Sequence, residues 1–196
     1  MALTGREVEI VQASWAKVRA IGGESGHAVT KDIFYKHMHQ NKEVAALFKG
    51  VDMSLQATKL WNMLNLAVRS LTNLGSVVPM LQESGARHVA YGCYPEHYDV
   101  VGASLLYTLG VGLGAEFTPE LKAAWTKVYG VVAKTMCDAQ EAERVKQPLT
   151  AKEVTMVQES WAKVRAIGGE SGHAVTAVTK DIFYKHMHEN KEVAAL

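Results

Sequence analysis

Apolar residues recur at steps of three and four along almost the whole chain. Val8, Val11, Trp15 and Val18 form one stripe, and Val29, Ile33, Phe34, His37 and Met38 follow at the same period in the next segment. That spacing predicts amphipathic helices. Thr4-Gly5-Arg6-Glu7 has capping-box spacing and starts the first helix, which Gly22-Gly23 closes. A second helix is expected from about Ser25 to Gln40. A short third one begins at Asn41 and ends near Leu47-Phe48, and Gly50 to Ser54 is a connection. A long helix then runs from about Ser54 to Asn73, with Leu60, Met63, Leu64, Ala67, Val68 and Leu71 on its apolar side; Gly75 breaks it. Another spans about Val77 to Val89 and stops at Tyr91-Gly92. Pro95 starts a helix that continues to about Gly114. Thr118 before Pro119 and Glu120 is an N-cap with proline at the first helical position, and this helix reaches about Ala139. No segment alternates with a period of two, and the four prolines sit at helix starts, breaks or a linker. The fold class is all-α.

The pattern then begins again. Residues 149–196 repeat residues 3–47 almost letter for letter, so that Ser14-Trp15-Ala16-Lys17-Val18-Arg19 returns as Ser160-Trp161-Ala162-Lys163-Val164-Arg165. The repeat unit is the length of an ordinary domain, too long for a solenoid. The expected organisation is one complete domain over residues 1–140, a charged linker over 141–148, and the first helices of a second domain over 149–196. The chain reads as a fragment of a tandem array.

Composition narrows the class. With 48% hydrophobic and 21% charged residues the chain has the balance of a globular domain. A net charge of +1 and the lack of a basic run exclude nucleic acid and an anionic membrane as expected partners. The uncharged stretch Val100–Ala115 is short and interrupted by glycine, so a core helix is expected there rather than a membrane span. No signal-peptide pattern opens the chain, and Cys93 and Cys137 have no metal or redox spacing; an intracellular protein with free thiols is expected.

Of the eight histidines, His37 and His39 lie two apart on a helix and point to different sides, which suits solvated faces. His97, in the first turn after Pro95, is read as a surface residue. His88 differs. It shares a face with Val77, Leu81 and Gly85, and the small Ser84 and Gly85 precede it by one turn. One imidazole cannot make a zinc site, but it is enough for haem iron, because the porphyrin supplies four ligands.

The ordered set Ser14-Trp15, Phe48, Gly85-Ala86-Arg87-His88, Val101-Gly102-Ala103-Ser104-Leu105-Leu106-Tyr107 and Phe117-Thr118-Pro119-Glu120 through Tyr129-Gly130 resembles the globin family over the whole first unit. The second half is similar to animal neuroglobins, and the stretch around Leu74 and Val77-Val78-Pro79 to the globin domain of bacterial flavohaemoglobins. The resemblance implies a globin fold, haem b held by His88, and Phe48 packed flat on the porphyrin. It also carries Tyr98, Val101 and Tyr129 to the haem pocket.

Two registers are open for the residue above the iron. In one, Gln56 faces it, Ala57 takes the tight helix crossing, Lys59 reaches a haem propionate and Leu60 covers the iron. In the other, Lys59 faces it. The first is preferred, since a small residue belongs at the crossing and a hydrated ammonium does not belong in the pocket. The second helix contributes one more residue. A count back from Phe48 without a gap selects Phe34; alignment with bacterial members selects Tyr35, whose hydroxyl beside Gln56 would give bound oxygen two donors and slow its release.

The expected function is reversible dioxygen binding, for storage or transport, with carbon monoxide and nitric oxide as further ligands and one haem per chain. Nitric oxide dioxygenation with an external reductase is the enzymatic alternative, and a gas sensor is the third. For residues 149–196 the expectation is a tail that is helical but loosely held, or exchanged between chains as a domain swap. Trp161, Val164 and Phe183 repeat apolar positions of the first unit. Ala174-Val175-Thr176-Ala177-Val178-Thr179, three residues longer than Ala28-Val29-Thr30, weakens the tail's fit.

Overall fold

The computed structural model describes residues 3–24, 26–146 and 151–168. The chain divides into two compact units, residues 1–146 and 147–196. The first is built from α1 (Gly5–Gly22), α2 (His27–Val29), a π-helical segment (Thr30–Tyr35), α3 (Lys36–Met38), α4 (Lys42–Leu47), α5 (Met53–Arg69), α6 (Val78–Ala90), α7 (Pro95–Leu113) and α8 (Pro119–Arg144). Short 3₁₀ turns, Leu71–Ser76 and Gly114–Glu116, join α5 to α6 and α7 to α8. Every described element is helical, as the apolar period predicts, and the fold class is all-α.

Polar side chains at the helix starts satisfy the free backbone N–H groups there. Thr4 and Glu7 form the reciprocal capping box of α1. Asn41 accepts from the Val44 N–H at 3.0 Å, and Thr118 accepts from the Leu121 N–H at 3.3 Å. Asp52 accepts from the N–H groups of Leu55 and Ser54, which hold its carboxyl below the usual carboxylate range.

Three tryptophans form the centre of the core. The rings of Trp15 and Trp61 lie 5.1 Å apart, those of Trp15 and Trp125 5.8 Å. Their indole N–H groups are not left bare, because Trp15 donates to Asn65 Oδ1 at 2.9 Å and Trp125 to Ser14 Oγ at 3.0 Å. Gly26 makes room for Trp61. Its φ is +66°, and a Cβ there would meet the Trp61 ring at 2.2 Å. α7 is long and apolar enough to cross a membrane. Its Tyr98, Leu105, Leu109 and Leu113 pack into the core, as a buried central helix requires.

Three features depart from the sequence pattern. The expected Ser25–Gln40 helix contains a π-helical segment at Thr30–Tyr35, where Thr30 Oγ1 donates back to the Gly26 carbonyl at 2.8 Å. A π turn takes one more residue than an α turn, so later side chains rotate relative to an unbroken count. The helix expected to reach Asn73 ends at Arg69, and Asn73 itself is non-helical (φ −145°, ψ 65°). α8 continues to Arg144, into the segment expected as linker.

The second unit contains α9 (Ala151–Gly168). Val154, Met156, Val157 and Trp161 on it are exposed, Trp161 by 57%. Phe183 and the Ala174–Thr179 difference lie outside the described residues.

Candidate functional site

His88 lies one turn past a close crossing of α6 and α8 that a glycine makes possible. A Cβ on Gly85 would stand 2.2 Å from the Met136 carbonyl oxygen of α8, so only glycine lets α6 lie this near. One turn later the His88 Nδ1 lies 2.6 Å from the Ser84 carbonyl oxygen. A carbonyl only accepts, so Nδ1 carries the proton and Nε2 keeps its lone pair. Burial is the main influence on this imidazole and pushes its pKa down, which favours the neutral form a metal needs. Tyr91 and Tyr98 flank the ring at 5.5 and 6.1 Å.

The loop after His88 is tied to α8. The Cys93 carbonyl accepts from both Gln140 Nε2 and Arg144 Nη2, the latter at 2.6 Å. Tyr129 donates its hydroxyl to the Tyr98 carbonyl, and a Cβ on Gly102 would meet the Tyr129 ring at 2.6 Å. The Tyr98 hydroxyl is buried without a hydrogen-bond partner. Burial raises the pKa of both tyrosines and of Cys93, whose thiol is pushed up to about 11.

A second group gathers where the π-helical segment meets α5. Tyr35 is buried, which raises its hydroxyl to about 12, and the neighbouring Gln56 side chain partly opposes the rise. Phe48 stands edge-on to Tyr35 at 5.5 Å, and the buried Phe34 is likewise edge-on to it at 5.2 Å. Gln56 is half-buried, Ala57 is fully buried and Lys59 is exposed. Leu60, Val101, Phe48 and Tyr129 pack on the core yet stay partly uncovered.

The sequence-derived residues thus fall into two clusters, His88–Tyr98–Tyr129 and Tyr35–Phe34–Phe48–Gln56, with Leu60 and Val101 on the intervening helices α5 and α7. Phe34 and Tyr35 are both buried in this group, and Tyr35 has Gln56 as a neighbour.

The other histidines correct their surface reading. His97 is only 4% exposed. The Tyr94 N–H donates to its Nδ1 at 3.0 Å, so Nε2 carries the proton and faces Glu43 at 3.7 Å. The signal was in the sequence, since His97 is the third helical residue after Tyr94, where a side chain can turn back to accept from the N-cap. His37 is half-buried, stacked on Tyr107 at 4.1 Å with Nδ1 3.0 Å from Ser104 Oγ. His39 packs beside Phe48 and Tyr35 at 5.5 and 5.9 Å, and burial lowers its pKa.

Among the described residues, no three His, Cys, Asp or Glu side chains come together as a metal site. What is present is a histidine with a free Nε2, apolar side chains left partly uncovered, and a tyrosine and a glutamine that meet from two other elements. That set fits haem, which needs one axial nitrogen and an apolar slot.

The globin family profile matches residues 27–136. The chain is 28% identical to the flavohemoprotein of Bacillus subtilis over 133 residues, which is 67% of this chain but only 32% of that protein. It is 38% identical to the neuroglobin of Tetraodon nigroviridis over 79 residues, 40% of this chain and 50% of that one. Neuroglobin-1 of Oncorhynchus mykiss is 27% identical over 143 residues, 68% of this chain and 90% of the relative. In three dimensions the chain resembles ferric Aplysia limacina myoglobin, with a TM-score of 0.56 at 20% identity, covering 72% of this chain and 99% of the myoglobin. Donor set, fold and relatives agree on haem-based gas binding, and the chain belongs to the globin family.

Proposed function

We propose that the chain binds dioxygen reversibly on haem b, with His88 as the axial ligand and with slow release. The nearness of the buried Tyr35 hydroxyl to the Gln56 side chain carries this reading. Haem iron supplies the reversible binding of diatomic gases; the protein sets what holds a guest there. Burial raises the Tyr35 hydroxyl to about 12, so it keeps a proton to donate to a polar diatomic guest, and a Gln56 amide N–H can do the same. Phe48, Leu60, Phe34, Val101, Tyr98 and Tyr129 keep water out. Lys59, exposed on the same helix, suits a propionate. Each donor is worth about 1–2 kcal/mol, or roughly tenfold in release rate.

Slow release also favours a second reading, nitric oxide dioxygenation. Dioxygen and nitric oxide are consumed to nitrate, with one electron returned per turnover by an external reductase. Delivery wants a guest that leaves; this chemistry wants one that waits.

Stopped-flow dioxygen release tests the pair. Tyr35→Phe and Gln56→Leu should each speed release about tenfold, while carbon monoxide binding changes little and Lys59→Ala leaves release alone. A strong effect of Lys59→Ala with none from Gln56→Leu would mean the register is three residues off. Nitric oxide consumption that stalls after one equivalent, even with reductant supplied, would remove the dioxygenase reading.

A further inference from the structure

Four residues, Tyr91 to Tyr94, join α6, which carries His88, to α7. Tyr91 and Gly92 are exposed, so this connection has little packing of its own. Hydrogen bonds at a single peptide group hold it instead. The Cys93 carbonyl accepts from Gln140 Nε2 and from Arg144 Nη2. The N–H of the same peptide group, that of Tyr94, donates to His97 Nδ1 at 3.0 Å. A peptide group offers one donor and an acceptor with two lone pairs, and here all are taken. The N–H of Cys93 itself donates to the His88 carbonyl at 3.1 Å. Hydrogen bonds in series therefore run from α8 to the backbone of His88.

The groups on α8 are arranged for this. Met136, Gln140 and Arg144 follow at steps of four, along one face of the helix. Met136 is the residue whose backbone closes on Gly85, three residues before His88. Gln140 and Arg144 hold Cys93, five residues after it. So α8 grips the chain on both sides of His88, by close packing before it and by hydrogen bonds after it.

Two details mark Gln140 and Arg144 as more than general support. Gln140 is 1% exposed, and its Oε1 is buried without a hydrogen-bond partner. An apolar side chain of that size would leave no such atom bare, so it is the amide N–H that is needed there. The amide cannot be turned over, because Oε1 would then face a carbonyl oxygen. Arg144 adds a charged donor, which makes a stronger bond than a neutral one. Its guanidinium lies 4.2 Å over the Tyr94 ring, and that contact fixes its aim.

We propose that Gln140 and Arg144 are positioning residues for His88, which through the Cys93 carbonyl fix the seat of its imidazole and so the strength of its bond to haem iron. The proposal rests on the reading of His88 as axial ligand. It separates two sides of gas binding. Losing a donor at Gln56 acts on the polar guest and spares carbon monoxide. A displaced His88 acts on the iron and alters the binding of both gases.

The test uses the haem-loaded full chain and reads the iron–histidine stretching band of the ferrous protein by resonance Raman. Gln140→Leu with Arg144→Met removes both donors and keeps most of the bulk. A looser imidazole bonds more weakly, so the band should fall in frequency and broaden. Carbon monoxide association should change together with dioxygen release, and haem loss should quicken about tenfold, as when the support of a metal ligand is removed. If the double variant does not hold haem, Gln140→Leu alone gives the same reading with one donor kept. Ser14→Ala is the control for stability: it leaves the Trp125 N–H without its acceptor, should lower Tm, and should not move the band. A band that stays in place when the donors are removed, or that moves as far in Ser14→Ala, overturns the proposal, as does unchanged carbon monoxide association. A wild type with no iron–histidine band would overturn the axial assignment itself, so the two failures are told apart.

Discussion

Replacing Gly85 by alanine adds one methyl group at the place where α6 and α8 touch. The added carbon would stand 2.2 Å from the Met136 carbonyl oxygen and 2.8 Å from its Cα, both backbone atoms of α8. No rotamer change relieves such a contact. An ordinary van der Waals distance returns only if the helices part by about 1 Å, and overpacking of this kind costs about 1–3 kcal/mol. Alanine gives back up to about 1 kcal/mol of helix propensity. The net loss of about 1–2 kcal/mol should lower Tm by roughly 2–8 °C for a domain of this size. The shift also carries His88, three residues on and on the same face, away from its slot. Haem loss should quicken about tenfold, as when the support of a metal ligand is removed. Thermal unfolding followed at 222 nm gives the first quantity, and haem transfer to excess apomyoglobin the second. Gly130→Ala is the control, because a Cβ there has nothing within 4 Å. It should leave haem loss unchanged and hold or raise Tm. If Gly85→Ala behaves like Gly130→Ala, the tight crossing does not position His88.

Two further outcomes follow from the same site. His88→Ala should abolish stable haem binding in the whole chain, since residues 149–196 contain no counterpart of His88; a retained, unchanged Soret band would overturn the assignment. Acidification should destabilise the haem-free folded chain between about pH 7.5 and 5.5. Burial lowers the pKa of His88 and His39 from 6.5, so below that value the unfolded chain takes up protons that the folded chain refuses. Denaturant midpoints of the haem-free protein across this range should fall with pH in the wild type and fall less in a variant with both histidines replaced by glutamine.

The helices were legible because their apolar period is regular and their caps are local. Thr4, Asn41 and Thr118 sit within three residues of the groups they satisfy, and the side on which His88 lies was legible because its helix faces one way. The π-helical segment Thr30–Tyr35 was harder. It depends on how the second helix packs, and no local pattern of hydrophobic residues records one residue taken up in a wider turn. Counting along a chain assumes an unbroken period; the Thr30–Tyr35 segment breaks it. His97 was missed for a related reason. Its burial comes from Tyr94 and from Glu43, more than fifty residues away, and position in a first turn says nothing about either.

The tryptophan trio has an optical consequence. Trp61 and Trp125 each lie within 6 Å of Trp15, close enough for excitation on one ring to pass to the next. Buried indoles emit at short wavelength, and haem in the same unit would absorb that emission. Trp161, 57% exposed on α9, emits at longer wavelength because water reorients around its excited state. One emission spectrum therefore separates two events. Its blue edge reports filling of the first unit, and its red edge reports whether α9 has found cover.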